Sequence, residues 1–146
     1  MLKTVANRLA KLACSSVLSF FLLGMVGQAA AEVLLMPTPD QGVQPRLVQD
    51  GGGNIHLLYF KKRINTPAAR EGHLYYAQYD PAAGRFGSAV RVSSQAFNMM
   101  TFALARAAMA VGGDGRVHVM WYLPSESAFY YSRSDTDCNR FETQQS

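Results

Sequence analysis

The sequence predicts an all-β fold built from antiparallel strands, and three observations support this prediction. After residue 31 the chain contains short runs that are rich in β-branched and aromatic residues. Glycine, proline, asparagine and aspartate separate these runs, as is typical of tight turns between strands. A stretch of the chain also resembles a later stretch, which indicates a repeated β unit.

The first 31 residues have the organisation of a secretory signal peptide. Residues 1–11 carry three cations and no acid, residues 12–26 form an uncharged and mainly apolar run, and residues 29–31 are three alanines. This apolar run is shorter than the roughly 20 residues that a membrane span needs. An uncleaved N-terminal anchor is the alternative. We predict a helical signal peptide cleaved after Ala31 and a secreted or periplasmic product that has no membrane attachment.

Removal of the signal peptide changes the charge and the cysteine count. The whole chain has 14 Lys+Arg and 10 Asp+Glu, a net charge of +4, but three of the cations lie in residues 1–31. The remaining chain is nearly neutral, so its composition gives no basis for nucleic-acid binding. Its one basic cluster, residues 61–63, is assigned to a solvated loop. Cys138 is the only cysteine after residue 31, which excludes an intramolecular disulfide in the processed chain.

Residues 45–60 match residues 107–122 at an offset of 62. Three positions are identical between the copies: Gly51, Gly53 and His56 correspond to Gly113, Gly115 and His118. Residues 74–80 match residues 129–135 at an offset of 55, which holds as far as Phe86 and Phe141. The loop between the two matched parts is therefore shorter in the second copy, a change that loops tolerate easily.

Each copy is predicted to contain four strands, which in the first copy lie near 43–49, near 54–60, near 73–79 and from Phe86 onward. The glycines suit the intervening turns, where a positive φ excludes most side chains. Four antiparallel strands form one blade of a β-propeller. A single eight-stranded β-sandwich is the alternative, and repetition favours the propeller.

The predicted organisation is a signal peptide over 1–31, a linker over 32–42 and blade-like repeats over 43–94 and 95–146. The Met-rich stretch 95–108 at the start of the second repeat is either a short helix or a crossing between blades. Propellers close with about four to eight blades. We therefore expect either an incomplete propeller, truncated within its second repeat, or a short chain that completes a ring as a homo-oligomer.

The second repeat resembles the BNR or Asp-box repeats of sialidase-like propellers. The run Asp114–Trp121 matches a D-G-x-h-H-h-x-W strand, where h is apolar, and Phe129–Asp135 followed by Phe141 matches the strand and tight turn that come next. The resemblance covers residues 43–146 and implies an exported propeller segment that is related to glycan-binding or glycan-cleaving proteins. It assigns structural repeat positions to Gly53, His56, Tyr76, Phe86, Gly115, His118, Tyr131, Ser134 and Phe141.

The chain departs from the family pattern in the Asp box and at the substrate clamp. Ser134 and Phe141 match the Asp box, but Thr136, Cys138 and Arg140 stand where the pattern has aspartate, glycine and threonine. Val43 stands where enzymatic members have the first arginine of their substrate clamp, and Arg46 is displaced from it. We therefore expect no catalysis by this chain alone. Two alternatives remain: a non-enzymatic module that binds polysaccharide or protein through loops 61–72 and 123–128, and the N-terminal part of an exo-acting glycoside hydrolase whose catalytic residues are missing.

Five residues are candidates for ligand binding. Aromatic faces can stack on sugars, although the same rings could fill the core between blades. Arginine can clamp a carboxylate, and a loop carboxylate such as that of Glu126 or Glu71 could act as a catalytic acid. The candidates are Arg46, Tyr59, Trp121, Tyr122 and Glu126.

Other chemistry-bearing residues are given structural roles. His56 and His118 occupy equivalent strand positions, where each is expected to bond a neighbouring turn. The repeated tyrosines are expected to fill the blade core, since a nucleophile is needed only once. The aspartates are expected to cap turns: Asp50, Asp80, Asp114, Asp135 and Asp137. We predict no metal site and no cofactor.

Overall fold

The computed structural model describes residues 33–66, 68–99 and 107–146. The predicted signal peptide lies outside the described residues, as do residues 100–106 of the Met-rich stretch 95–108. The chain divides into two compact units, and the larger one spans Met36–Ser146. Two antiparallel sheets make up this unit, which confirms the all-β prediction. Among the described residues the one helical turn is a 3₁₀ turn over Pro39–Gln41.

The first sheet has three long strands and a broken fourth one. Strands β1 (Val43–Gln49), β2 (Ile55–Lys62) and β3 (Glu71–Asp80) pair in chain order, all antiparallel. Three two-residue strands then pair in turn with β3: β4 (Arg85–Phe86), β5 (Val90–Arg91) and β6 (Phe97–Asn98). The first part of the stretch 95–108 therefore continues the edge of this sheet.

The second sheet repeats the order of the first. Strands β7 (Ala108–Val111), β8 (Val117–Leu123) and β9 (Ala128–Arg133) pair in chain order, again antiparallel. Isolated bridges join Ser134 to Phe141 and Tyr131 to Gln145. These bridges place residues 141–145 beside β9, at the position that β4 and β5 occupy beside β3.

The two sheets share one pairing register under the offsets found in the sequence. Leu58 pairs with Tyr76 in the first sheet, and the equivalent Met120 pairs with Tyr131 in the second. The fourth strands obey the same rule, because Tyr79 pairs with Phe86 as Ser134 pairs with Phe141. A register shift of one residue would invert every side chain of a strand, so this agreement places equivalent residues on equivalent faces.

The main core lies between the two sheets. Side chains on one face of the first sheet and the opposing face of the second belong to a single buried cluster. Trp121 on β8 stacks against Phe97, with ring centroids 6.0 Å apart, and Tyr76 on β3 meets the edge of Phe141 at 5.8 Å. The members of the cluster are Leu58, Phe60, Leu74, Tyr76, Val92, Phe97, Met99, Ala107, Met109, Val117, Val119, Trp121 and Leu123.

Equivalent glycine turns join the first two strands of each sheet. Gly53 and Gly115 have φ values of +85° and +81°, which a side chain would strain. In the first turn, Asp50 Oδ1 accepts the N–H groups of Gly52 and Asn54 at 2.9 and 2.8 Å. This carboxylate holds the loop closed in front of β2.

Candidate functional site

A cleft opens beside the loop that joins β2 to β3. Its volume is about 430 Å³, and it is lined by Arg63, Ile64, Ala69, Arg70 and Glu71. The loop therefore presents two guanidinium groups and one carboxylate around two apolar side chains.

The ends of two paired strands form the frame of this cleft. Lys62 pairs with Gly72, and just beyond it the N–H of Arg63 donates to the carbonyl of Glu71 at 2.9 Å. Gly72 allows the strands to approach, because a Cβ atom there would lie only 2.1 Å from the carbonyl oxygen of Lys61. The ladder thus fixes Arg63 and Glu71 opposite each other.

Thr66 organises the rest of the loop. Its N–H donates to the carbonyl of Ile64 at 2.9 Å, and the N–H of Ala69 donates to both its carbonyl and its Oγ1, each at 3.2 Å. The Lys62 ammonium adds a hydrogen bond to the same carbonyl at 3.3 Å. These contacts position the two apolar residues, Ile64 and Ala69, that line the cleft.

The cleft carries a positive excess. Arg63 and Glu71 form an ion pair of 3.6 Å between exposed side chains, an arrangement that contributes little stability and exchanges easily with solvent ions. Arg70 makes no ion pair with any residue that the structure describes. Nearby, Lys61 pairs with Asp40 at 3.0 Å and lies 5.5 Å from the ring centre of Tyr75.

This arrangement is suited to binding an anionic group. A guanidinium presents a planar set of N–H donors that matches a carboxylate, sulfate or phosphate. The adjoining Ile64 side chain is exposed and offers an apolar surface to a ligand. A ligand that combines an acidic group with a C–H face is complementary to both features.

A second and larger cleft lies on the second sheet, but its charges are neutralised within the protein. It measures about 550 Å³ and includes Arg116 and Arg140. Arg116 pairs with Asp114 and Arg140 pairs with Asp135, each at 3.4 Å. An incoming anion would have to displace both carboxylates.

Two of the aromatic candidates lie in the core. Tyr59 is fully buried and stacks with Tyr75 at 6.0 Å, while its hydroxyl donates to Asp40 at 3.5 Å. Burial raises the pKa of Tyr59 to about 12, and the Asp40 carboxylate adds to this shift. Trp121 is buried between Phe97 and Tyr130. Neither ring has a free face in this structure on which a sugar could stack.

The three other candidates are exposed, they belong to two different sheets, and none of them lines the cleft. Arg46 lies on β1 of the first sheet. Tyr122 lies on β8 of the second sheet, and Glu126 follows in the turn before β9, where it accepts a hydrogen bond from Tyr130. The structure therefore does not bring the five candidates together.

His56 links a turn to the core of the first sheet. Its Nε2 lies 3.2 Å from Asp50 Oδ2, and its Nδ1 lies 2.7 Å from the hydroxyl of Tyr76. His118 makes the equivalent contact with Tyr131, also at 2.7 Å, but Gly112 occupies the position equivalent to Asp50. The chain of carboxylate, imidazole and phenol is thus complete only in the first sheet.

The environment of Tyr76 favours its neutral form. Burial raises its pKa, and the nearby Cys138 thiol and Asp50 carboxylate raise it further. The Asp50 carboxyl is shifted in the opposite direction: hydrogen bonds from Asn54, followed by those from His56 and Gly52, lower its pKa to about 2. Because Tyr76 is enclosed, the hydrogen-bonded series of Asp50, His56 and Tyr76 has a structural role.

The remaining aspartates for which the structure shows contacts also serve turns. Asp80 Oδ1 accepts the N–H of Ala82 at 2.9 Å, and Asp135 Oδ1 accepts the N–H of Asn139 at 2.8 Å. Asp114 Oδ1 accepts the N–H of Arg116 at 3.2 Å. Each carboxylate satisfies backbone donors that a turn would otherwise leave unpaired.

The sequence predicts a loop over 61–72, whereas β2 extends to Lys62 and β3 begins at Glu71, and three residues of the cleft were not predicted: Ile64, Ala69 and Arg70. Ile64 and Arg70 belong to no motif, and only the hairpin brings Arg70 near Arg63. The basic run 61–63 was the available sign, and it suggested a solvated loop.

No three His, Cys, Asp or Glu side chains within residues 33–66, 68–99 and 107–146 come together as a metal site would require. The same residues contain no helix with the length and apolar character of a membrane span. Comparisons with protein-family models, with curated proteins and with solved structures find no match for this chain.

Proposed function

We propose that this chain is an exported glycan-binding segment of the sialidase-like, BNR-repeat kind, and that the cleft at the β2–β3 loop binds an acidic saccharide. The observation that carries the proposal is the pair of exposed guanidinium groups beside Ile64. Arg63 and Arg70 would bind the acid group, and the apolar side chain would pack against the sugar ring.

Two structural features support the propeller relationship. The sheets repeat one register through all four strand positions, as blades do. In addition, Cys138 has a φ of +55°, a left-handed conformation that favours glycine, and it stands where the Asp-box pattern has glycine. The Asp-box-like turn would then keep the family's backbone after losing the glycine.

The cleft favours binding over cleavage. Glycoside hydrolysis usually requires two carboxyl groups across the bond. Among the described residues that line the cleft, the only carboxylate is Glu71, and it is paired with Arg63. The proposed role therefore ends at recognition.

Binding assays with matched saccharides test the proposal. Oligosaccharides that carry uronate or sialate groups should bind, and neutral oligosaccharides of the same length should bind more weakly. Arg70→Ala should weaken binding by roughly tenfold or more, since charge-assisted hydrogen bonds contribute about 1.5–3 kcal/mol. Arg85→Ala removes an exposed arginine of β4 outside the cleft and serves as the matched control. Equal affinity for neutral and acidic saccharides would contradict the proposal.

Glu71→Gln separates binding from catalysis. This change releases Arg63 from its ion pair, so a binding site for anions should gain affinity. If Glu71 were a catalytic acid, the wild-type protein would hydrolyse a fluorogenic glycoside and the Glu71→Gln variant would not. Turnover that depends on Glu71 would overturn the binding proposal.

We also propose export, with cleavage after Ala31. The processed chain should begin at Glu32 and appear outside the cytoplasm. Mass measurement of the protein recovered from the periplasm or the medium tests both points. Retention of the complete N-terminus in membranes would favour the uncleaved anchor.

A further inference from the structure

The outer face of the second sheet exposes four large apolar or aromatic side chains. Alternation along β8 and β9 puts them on the side opposite the core. Their exposed fractions are 47% for Met120, 38% for Tyr122, 62% for Phe129 and 37% for Tyr131. A shallow apolar groove of about 280 Å³ adjoins Met120 and Tyr131 on this face.

The four equivalent side chains of the first sheet are buried. The shared register matches Met120, Tyr122, Phe129 and Tyr131 with Leu58, Phe60, Leu74 and Tyr76, each of which is at most 2% exposed. In the first sheet these side chains are covered by the second sheet. The chain therefore already shows what covers such a face: another sheet of the same kind.

The opposite side of each sheet leaves less apolar surface free, although Leu47 on the edge strand β1 is 60% exposed on that side of the first sheet. The second sheet is covered on that side by the first. On the first sheet, Leu57, Tyr59 and Ala77 are at most 2% exposed. Gly42 lies so close to Tyr59 that a Cβ atom there would be 2.1 Å from the ring. In a ring of copies stacked head to tail, the outer face of the second sheet would have to contact the Leu57 and Tyr59 side of the first sheet in the next copy. Because these side chains are already buried, contact between the outer faces of two second sheets is favoured instead.

We propose that the outer face of the second sheet pairs with the same face of a second copy, giving a homodimer with twofold symmetry. Such an interface is self-complementary by construction. Three strands at a spacing of about 4.8 Å and six residues at about 3.4 Å give a face of roughly 14 by 20 Å. That is small for a permanent dimer, so association should depend on concentration in the micromolar range.

Sedimentation equilibrium of the purified protein between about 1 and 200 μM tests the proposal. The mass should rise from monomer to dimer, with no larger species. Phe129→Ser and Tyr122→Ser should each weaken association by roughly tenfold or more, because a polar group would replace a buried aromatic ring. Both side chains are already exposed, so the fold should survive, and circular dichroism with a urea unfolding midpoint checks this.

Leu47→Ser is the matched control, because Leu47 is exposed on the first sheet and on the side that head-to-tail stacking would use. It should leave the dimer unchanged, as should Arg70→Ala in the saccharide cleft. A wild-type monomer at every concentration would overturn the proposal, as would a larger ring or dissociation by Leu47→Ser. If the Phe129→Ser variant loses saccharide binding while its mass in sedimentation equilibrium is the same as that of the wild type, this face binds the ligand and the dimer proposal is wrong. The dimer does not depend on glycan binding, so either proposal can fail alone.

Discussion

The imidazole of His56 lies 2.7 Å from the hydroxyl of Tyr76, and both side chains are buried. On the other side of the ring, Nε2 faces the carboxylate of Asp50. A carboxylate can only accept, so a neutral His56 donates from Nε2 and accepts the Tyr76 proton at Nδ1. The interaction orders a turn, a strand and the core in one network.

Replacing His56 should destabilise the protein more than replacing His118. His56→Ala leaves the buried Tyr76 hydroxyl without its partner, which typically costs about 1–3 kcal/mol, and it also removes one hydrogen bond to Asp50. His118→Ala removes the equivalent bond at a more exposed site, where the structure shows no hydrogen bond from the imidazole to a carboxylate of the described residues, so the loss should be smaller. Urea unfolding of both variants measures the difference. Equal losses would show that the network adds nothing to the repeated His–Tyr pair.

Asp50 should make stability depend on acid pH. Its pKa is lowered to about 2, chiefly by the side-chain hydrogen bond from Asn54, whereas an unfolded aspartate titrates near 3.9. The folded state therefore binds fewer protons, and the stabilisation is present above about pH 4 and is lost as the pH falls towards 2.

Urea unfolding between pH 2 and pH 6 tests this dependence. Asp50→Asn should reduce stability near neutral pH and flatten the decline between pH 4 and pH 2. Asn54→Ala should make the decline smaller and end it at a higher pH, because the folded pKa of Asp50 rises towards its unfolded value when the largest cause of the lowering is removed. An unchanged acid decline in Asp50→Asn would assign the dependence to other carboxyl groups.

The strand order was predictable because the repeat supplied more information than any single run of residues. Gly53 and Gly115 indicate the turns, and their spacing gives the 62-residue offset that relates the strand pairings of the two sheets. The broken fourth strand of the first sheet was not predictable in detail. Two-residue strands such as Arg85–Phe86 and Val90–Arg91 are too short to show periodicity.

The site was less predictable than the fold, because its residues meet only through the hairpin. Arg63 and Arg70 are separated in sequence by a loop of no regular pattern, and nothing local distinguishes Arg70 from other surface arginines. Trp121 shows the converse problem. An aromatic residue on a strand has the same local sequence whether its ring faces a ligand or a neighbouring sheet, and here packing decides.

Gly72→Ala should be strongly destabilising. A Cβ atom would lie 2.1 Å from the backbone oxygen of Lys61 and 2.7 Å from Phe60 Cζ, so the paired strands would have to separate. Overpacking of this kind typically costs about 1–3 kcal/mol. Gly113→Ala is the matched control, because a Cβ atom there meets nothing within 4 Å. Similar unfolding midpoints for the two variants would mean that β2 and β3 are less closely paired than described.

Trp121→Ala should cost about 3–5 kcal/mol, the usual range for removing a large aromatic side chain from a core. Trp121→Phe should cost less, since Nε1 is buried without a hydrogen-bond partner among the described residues and no such bond would be lost. Circular dichroism in urea measures both variants. Because Trp121 is the only tryptophan, wild-type fluorescence reports on it alone and should resist acrylamide quenching until the protein unfolds. If Trp121 stacked on sugars instead, its removal would barely change stability, and acidic saccharides would quench its emission in the folded protein.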